Sequence, residues 1–88
     1  MKVLKFGAVW CPGCLVMRPL WQEIEKEWPE LLTEYYDVDE NKELVKAYAI
    51  KEFPCFIFLS KDNTELHREY GEVSKDKLIK FIEQYQAQ

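Results

Sequence analysis

Apolar residues cluster in three distinct rhythms along the chain, and each rhythm predicts an element. Val3 to Ala8 is an apolar run broken only by Lys5, which reads as a buried strand. From Pro12 onward, Met17, Leu20, Trp21, Ile24 and Trp28 recur at helical intervals and make one apolar stripe. Arg18, Gln22, Glu23, Glu25 and Lys26 lie mostly on the other side. Pro19 inside this pattern predicts a kink rather than an end, and Pro29 closes the helix. Leu32 to Val38 alternates weakly, with Tyr36 and Val38 on one side, as expected of an edge strand. Asp37, Asp39 and Asn41 offer caps for a short helix through Leu44, Val45 and Tyr48. Cys55 to Leu59 is apolar at every position, the profile of a central strand. Lys61-Asp62-Asn63 predicts a turn, with Thr64 to Tyr70 as the returning strand of a hairpin that Gly71 ends. Ser74 caps a last helix, with Val73 and Leu78 placed as a hydrophobic staple. Leu78, Ile79, Phe81, Ile82 and Tyr85 form its buried face.

The resulting order is β-α-β-α-β-β-α, an α/β fold. Its first βαβ unit demands parallel strands joined by a right-handed crossover. The later hairpin adds two antiparallel strands, so a four-stranded mixed sheet with three helices over both faces is expected. Residues 1–88 read as one domain, and the 48% hydrophobic content supplies an ordinary core. A formal charge of −4 weighs against non-specific nucleic-acid binding. Three cysteines, an odd number, do not make a secreted disulfide framework. No apolar run approaches the roughly 18 residues of a membrane span. No export signal precedes the first strand, so a cytoplasmic monomer is the expectation.

The chemistry is concentrated in Trp10-Cys11-Pro12-Gly13-Cys14, at the predicted turn from first strand to first helix. Two cysteines two residues apart in this setting read as a redox dithiol. A thiolate is the nucleophile, and a helix N-terminus favours an anion through its unpaired N–H groups and the positive end of its dipole. With Cys11 as N-cap, Pro12 takes the first helical position, where a missing N–H costs nothing. The amides of Gly13 and Cys14 can then both point at the Cys11 sulfur. Cys11 is the expected nucleophile. Cys14, expected to be more buried and less acidic, resolves the mixed disulfide.

With these residues in view, the chain resembles small thioredoxin-fold proteins, the thioredoxins and glutaredoxins. It lacks the additional N-terminal strand and helix of full thioredoxins. The resemblance rests on Phe6, Ala8, Trp10, Cys11, Cys14, Pro19, Asp39, Pro54 and Gly71, and it covers nearly the whole chain. It implies thiol–disulfide exchange on protein disulfides, with no cofactor beyond the Cys11–Cys14 pair. Electrons would come from a thioredoxin-reductase-like flavoprotein or from glutathione. It also implies a cis peptide bond before Pro54, a Phe53 backbone that pairs with substrate, and an apolar docking surface of Trp10, Pro12, Gly13, Phe53, Pro54 and Gly71.

Four departures from the family's pattern stand out. Pro12-Gly13 replaces the Gly-Pro of thioredoxins and leaves an N–H at residue 13, a second donor for a Cys11 thiolate. Lys5 occupies the place of a buried aspartate that assists the resolving cysteine. It could modulate the thiols or simply snorkel to solvent. Glu52 and Glu72 flank the docking surface where small residues are usual, and would favour positively charged targets. Cys55 follows Pro54 directly, and strand alternation turns it into the core as a small hydrophobe. Three other readings compete: a glutathione-dependent glutaredoxin-like activity, metal binding, and a non-catalytic interaction module that keeps the fold, against which the intact Cys11 and Cys14 argue. Metal binding would take a zinc site of Cys11, Cys14, Cys55 and His67, or an iron–sulfur cluster bridging two copies through Cys11. His67 itself reads as a solvent-facing strand residue.

Overall fold

A computed structural model describes all residues from Met1 to Gln88. The elements are β1 (Lys2–Gly7), α1 (Pro12–Glu27), β2 (Leu32–Asp37), α2 (Lys42–Ala47), β3 (Cys55–Leu59), β4 (Glu65–Tyr70) and α3 (Lys75–Tyr85). The sheet order is β2-β1-β3-β4. β1 runs parallel to β2 with Lys5 opposite Tyr35 and Gly7 opposite Asp37, and antiparallel to β3 with Phe6 opposite Cys55. β3 and β4 form the antiparallel hairpin, irregular between Phe58 and Leu59.

Strand alternation divides the core into two layers. On one face Val3, Phe56 and Phe58 pack with Met17, Trp21 and Ile24 of α1 and with Leu78 and Ile82 of α3. On the other, Leu4, Phe6, Ala8, Cys55, Ile57 and Leu59 pack with Val38 and Ile50, and Leu44, Val45 and Tyr48 lie against them from the α2 side. β3 is therefore apolar at every position because it is covered on both faces. Each fully buried aromatic such as Phe6 or Phe58 contributes about 1.5–3 kcal/mol by leaving water.

Local signals account for the element ends. Pro19 lies inside α1, which runs on to Glu27 and is capped by the Trp28 N–H donating to Ile24 O. The Ser74 hydroxyl accepts from the Lys77 amide at 3.2 Å, and Val73 and Leu78 both join the adjoining core layer. Asn41 is the N-cap of α2 but makes no capping bond. Its side-chain amide instead donates to Asp37 O at 2.9 Å, holding the preceding turn. No helix is long and apolar enough to cross a membrane.

Candidate active site

β1 ends at Gly7, and the chain turns through Ala8, Val9 and Trp10 before α1 begins. The Cys11 amide donates to Ala8 O, and Cys11 adopts the extended geometry of an N-cap, with φ −96° and ψ 113°. Pro12 then occupies the first turn. The Cys14 amide donates to Cys11 Sγ at 3.2 Å. That bond comes from Cys14 alone. The Gly13 amide makes no such bond, so the Pro12-Gly13 order brings Cys11 no second donor of the kind expected. Cys11, Cys14 and Cys55 are all free thiols. Their burial also differs from expectation: Cys11 is only 5% exposed, whereas Cys14 is half-buried. Cys11 joins the core layer on the α2 side, whereas Cys14 only packs against it. Burial, the hydrogen bond with Cys11 and the charge of Cys11 push the Cys14 thiol up to about 11.

Pro54 sits against this turn. The Phe53–Pro54 peptide bond is cis. A Cβ on Gly13 would lie 3.2 Å from Pro54 Cδ and 3.6 Å from Glu72 Cγ, so glycine lets the two segments close on the dithiol loop. The Gly71 amide donates to Pro54 O at 2.8 Å, and Gly71 has φ +79°, a conformation that suits glycine. Trp10 is 59% exposed, edge-on to Phe53 at 6.1 Å between centroids, and its Nε1 donates to Asp39 Oδ2 at 2.8 Å. Trp10, Pro12, Gly13, Phe53, Pro54 and Gly71 therefore border one surface beside the sulfurs. Glu72 stands on its rim, with Glu52 exposed on the segment leading into Phe53.

Behind the dithiol, a cleft of about 290 Å³ runs between β1, β2 and α1. Cys14 lies at its mouth, and Lys5, Arg18, Trp21, Glu25 and Tyr35 line it. Lys5 does not snorkel outward. Its ammonium pairs with Glu25, 5.7 Å above the Trp21 ring, because β1 presents Lys5 directly to α1. Thr33 Oγ1 donates to the same Glu25 oxygen at 2.9 Å. Trp21 Nε1 is buried with no hydrogen-bond partner in the protein.

The thioredoxin family model matches residues 1–84. The chain belongs to the thioredoxin family. A thioredoxin H5 of Oryza sativa subsp. japonica is 39% identical over 79 residues, which cover 90% of this chain and 58% of that protein. A thioredoxin of Chlamydia trachomatis is 31% identical over 86 residues, covering 98% of this chain and 83% of that protein. Among solved structures, the thioredoxin of Fasciola hepatica superposes with a TM-score of 0.87 at 33% identity, over 96% of this chain and 79% of that one. The chain thus spans little more than half the length of the rice relative.

Within this thioredoxin fold, other residues singled out by the sequence stand away from the dithiol. Cys55 is fully buried in the α2-side layer, and desolvation pushes its thiol up to about 12. His67 is only partly open to solvent. It packs 4.1 Å from the Phe81 ring and stacks on Tyr85, because α3 covers that part of β4, and its Nε2 lies 2.9 Å from Glu69 Oε2. No three of the His, Cys, Asp and Glu side chains converge on a point that could hold a metal ion, so the Cys11, Cys14, Cys55 and His67 set has no common centre. Arg18, Glu25 and Tyr35 line the site although the sequence pattern gives none of them a functional role.

Proposed function

We propose that this chain is a thiol–disulfide oxidoreductase that reduces protein disulfides through Cys11 and Cys14. The observation that carries the reading is Cys11 at the N-cap of α1, its sulfur held by the Cys14 amide at 3.2 Å, beside the surface formed with Pro54. Family membership supports it. In the first step the Cys11 thiolate attacks one sulfur of a target disulfide. The Cys11–target bond forms, and the other target sulfur leaves with the electron pair. In the second, Cys14 loses its proton and attacks Cys11 Sγ. The Cys11–Cys14 disulfide forms, and the second target sulfur departs as a thiolate. The chain is oxidised by two electrons and the target reduced by two. These steps ask for no group beyond the two thiols.

Trp10, Pro12, Gly13, Phe53, Pro54 and Gly71 are assigned to docking the target segment, with the Phe53 backbone available to pair with it. For resupply of electrons we favour a thioredoxin-reductase-like flavoprotein over glutathione. The carboxylates of Glu52 and Glu72 at the rim oppose a tripeptide of net negative charge. The test is reduction of a disulfide-bonded protein. Cys11→Ser should abolish it, Cys14→Ser should accumulate mixed disulfides, and assays with each donor separate the two routes. Full turnover by Cys11→Ser would reject the assignment.

A further inference from the structure

The Cys14 sulfur and the Tyr35 ring both approach Gly7. A Cβ on Gly7 would lie 3.2 Å from Cys14 Sγ, 3.2 Å from Tyr35 Cε1 and 3.2 Å from the Tyr35 hydroxyl oxygen. All three atoms therefore border one small volume that only glycine leaves open. Arg18, one turn beyond Cys14 on α1, lines the same cleft, and its guanidinium acts on the phenol oxygen. Burial, the Asp37 carboxylate and Cys14 together push the Tyr35 phenol above its ordinary value, outweighing Arg18. At neutral pH the group is an O–H donor, not a phenolate.

We propose that the Tyr35 hydroxyl donates a hydrogen bond to the Cys14 sulfur as that sulfur becomes a thiolate, and that Arg18 positions the phenol for it. The proposal rests on the reading of Cys14 as the resolving thiol. Resolution requires negative charge on a sulfur whose surroundings disfavour it. The charged and titratable groups around Cys14 are Lys5 from β1, Tyr35 and Asp37 from β2, Arg18 and Glu25 from α1, and Cys11 from the turn. Pro54 and Phe56 approach from the remaining side and carry no charge. Lys5 and Glu25 are engaged with each other, and Asp37 opposes a thiolate. Among side chains, Tyr35 and Arg18 are left to stabilise the ion, beside the Ala8 and Cys14 backbone that already favours it. The Cys14 proton leaves to water in the cleft, and the phenol keeps its own proton throughout. Tyr35 thus lowers the cost of ionising Cys14 without acting as a base.

The two sulfurs can be read separately by mixing the reduced protein with a nitrothiobenzoate disulfide in a stopped-flow instrument. One coloured thiol leaves when Cys11 attacks and a second when Cys14 resolves. Tyr35→Phe should slow the second phase at neutral pH about tenfold and move its pH midpoint upward, as expected for losing one hydrogen bond to a charged group, and leave the first phase unchanged. Arg18→Gln should move the second phase in the same direction by less, and it tests the pair should Tyr35→Phe fold poorly. A second phase with the parent's midpoint in both variants would overturn the proposal. So would an equal shift of both phases, which would signal a general disturbance of the site. A parent protein with no first phase would instead sink the dithiol reading itself.

Discussion

Lys5 on β1 and Glu25 on α1 form an ion pair beneath the dithiol, the lysine side chain only 15% exposed and the glutamate 32%. A buried amine standing free near the thiols would perturb them strongly. Here its charge is matched by α1, and the Thr33 hydroxyl donates to the same carboxylate oxygen. The pair also fixes how α1 lies over the β1–β2 ribbon.

Breaking this pair from one side should cost more than removing it. Lys5→Met leaves Glu25 partly buried without its partner, and about 1–3 kcal/mol of stability should be lost. Lys5→Met combined with Glu25→Leu should recover most of that loss. Urea denaturation of the parent, both single variants and the double variant gives the coupling. Additive losses would mean that the ion pair contributes nothing.

Gly7 is the tightest position in the site. Alanine there places a methyl 3.2 Å from Cys14 Sγ and from Tyr35, and the ring at the sheet edge must yield. Gly7→Ala should fold, with about 1–3 kcal/mol lost to overpacking. Its urea midpoint against the parent's checks this.

The two raised thiols set an alkaline limit to stability. Cys14 moves from 9.0 to about 11 and Cys55 from 9.0 to about 12, both chiefly through desolvation. The unfolded chain ionises them first, so their contribution is intact below pH 9.0 and is lost as pH rises through the folded values. Denaturant midpoints of the reduced protein should fall steadily above pH 9.0, and Cys55→Val should flatten the fall. A flat profile to pH 11 in the parent would contradict the burial assigned to these sulfurs.

Asp39 holds Trp10 by an exposed hydrogen bond, so its role is orientation rather than folding. Asp39→Ala should change stability by no more than about 0.5 kcal/mol. It should raise KM for a protein disulfide about threefold with kcat little changed, as expected for losing a modest hydrogen bond that orders the docking surface. An unchanged KM would show that Trp10 does not need this tether.

The ends and types of the elements are legible in the sequence where one physical signal dominates. Cys55 to Leu59 can only be a strand covered on both sides, and Ser74 can be read as a cap from its neighbours Val73 and Leu78. The dithiol turn is equally plain, because Trp10, Pro12 and Pro54 restrict what a pair of cysteines can be doing. Glu25 is harder. A helical wheel puts it with the polar residues, and only the placement of α1 over β1 brings it to Lys5. Tyr35 and Tyr36 are adjacent aromatics in a weakly alternating strand, so periodicity alone cannot give each its role. His67 is covered by a helix that the hairpin signal does not foresee. What local pattern misses in each case is a contact between elements.

The Gly71 amide and the Pro54 carbonyl join the two segments that flank the open end of the β3–β4 hairpin, beside the Cys55–Tyr70 pair. A motion that lifts one loop must carry the other or break that link. Under the proposed function, a target peptide would meet a ledge whose halves are already fastened together, with little ordering left to be done on arrival.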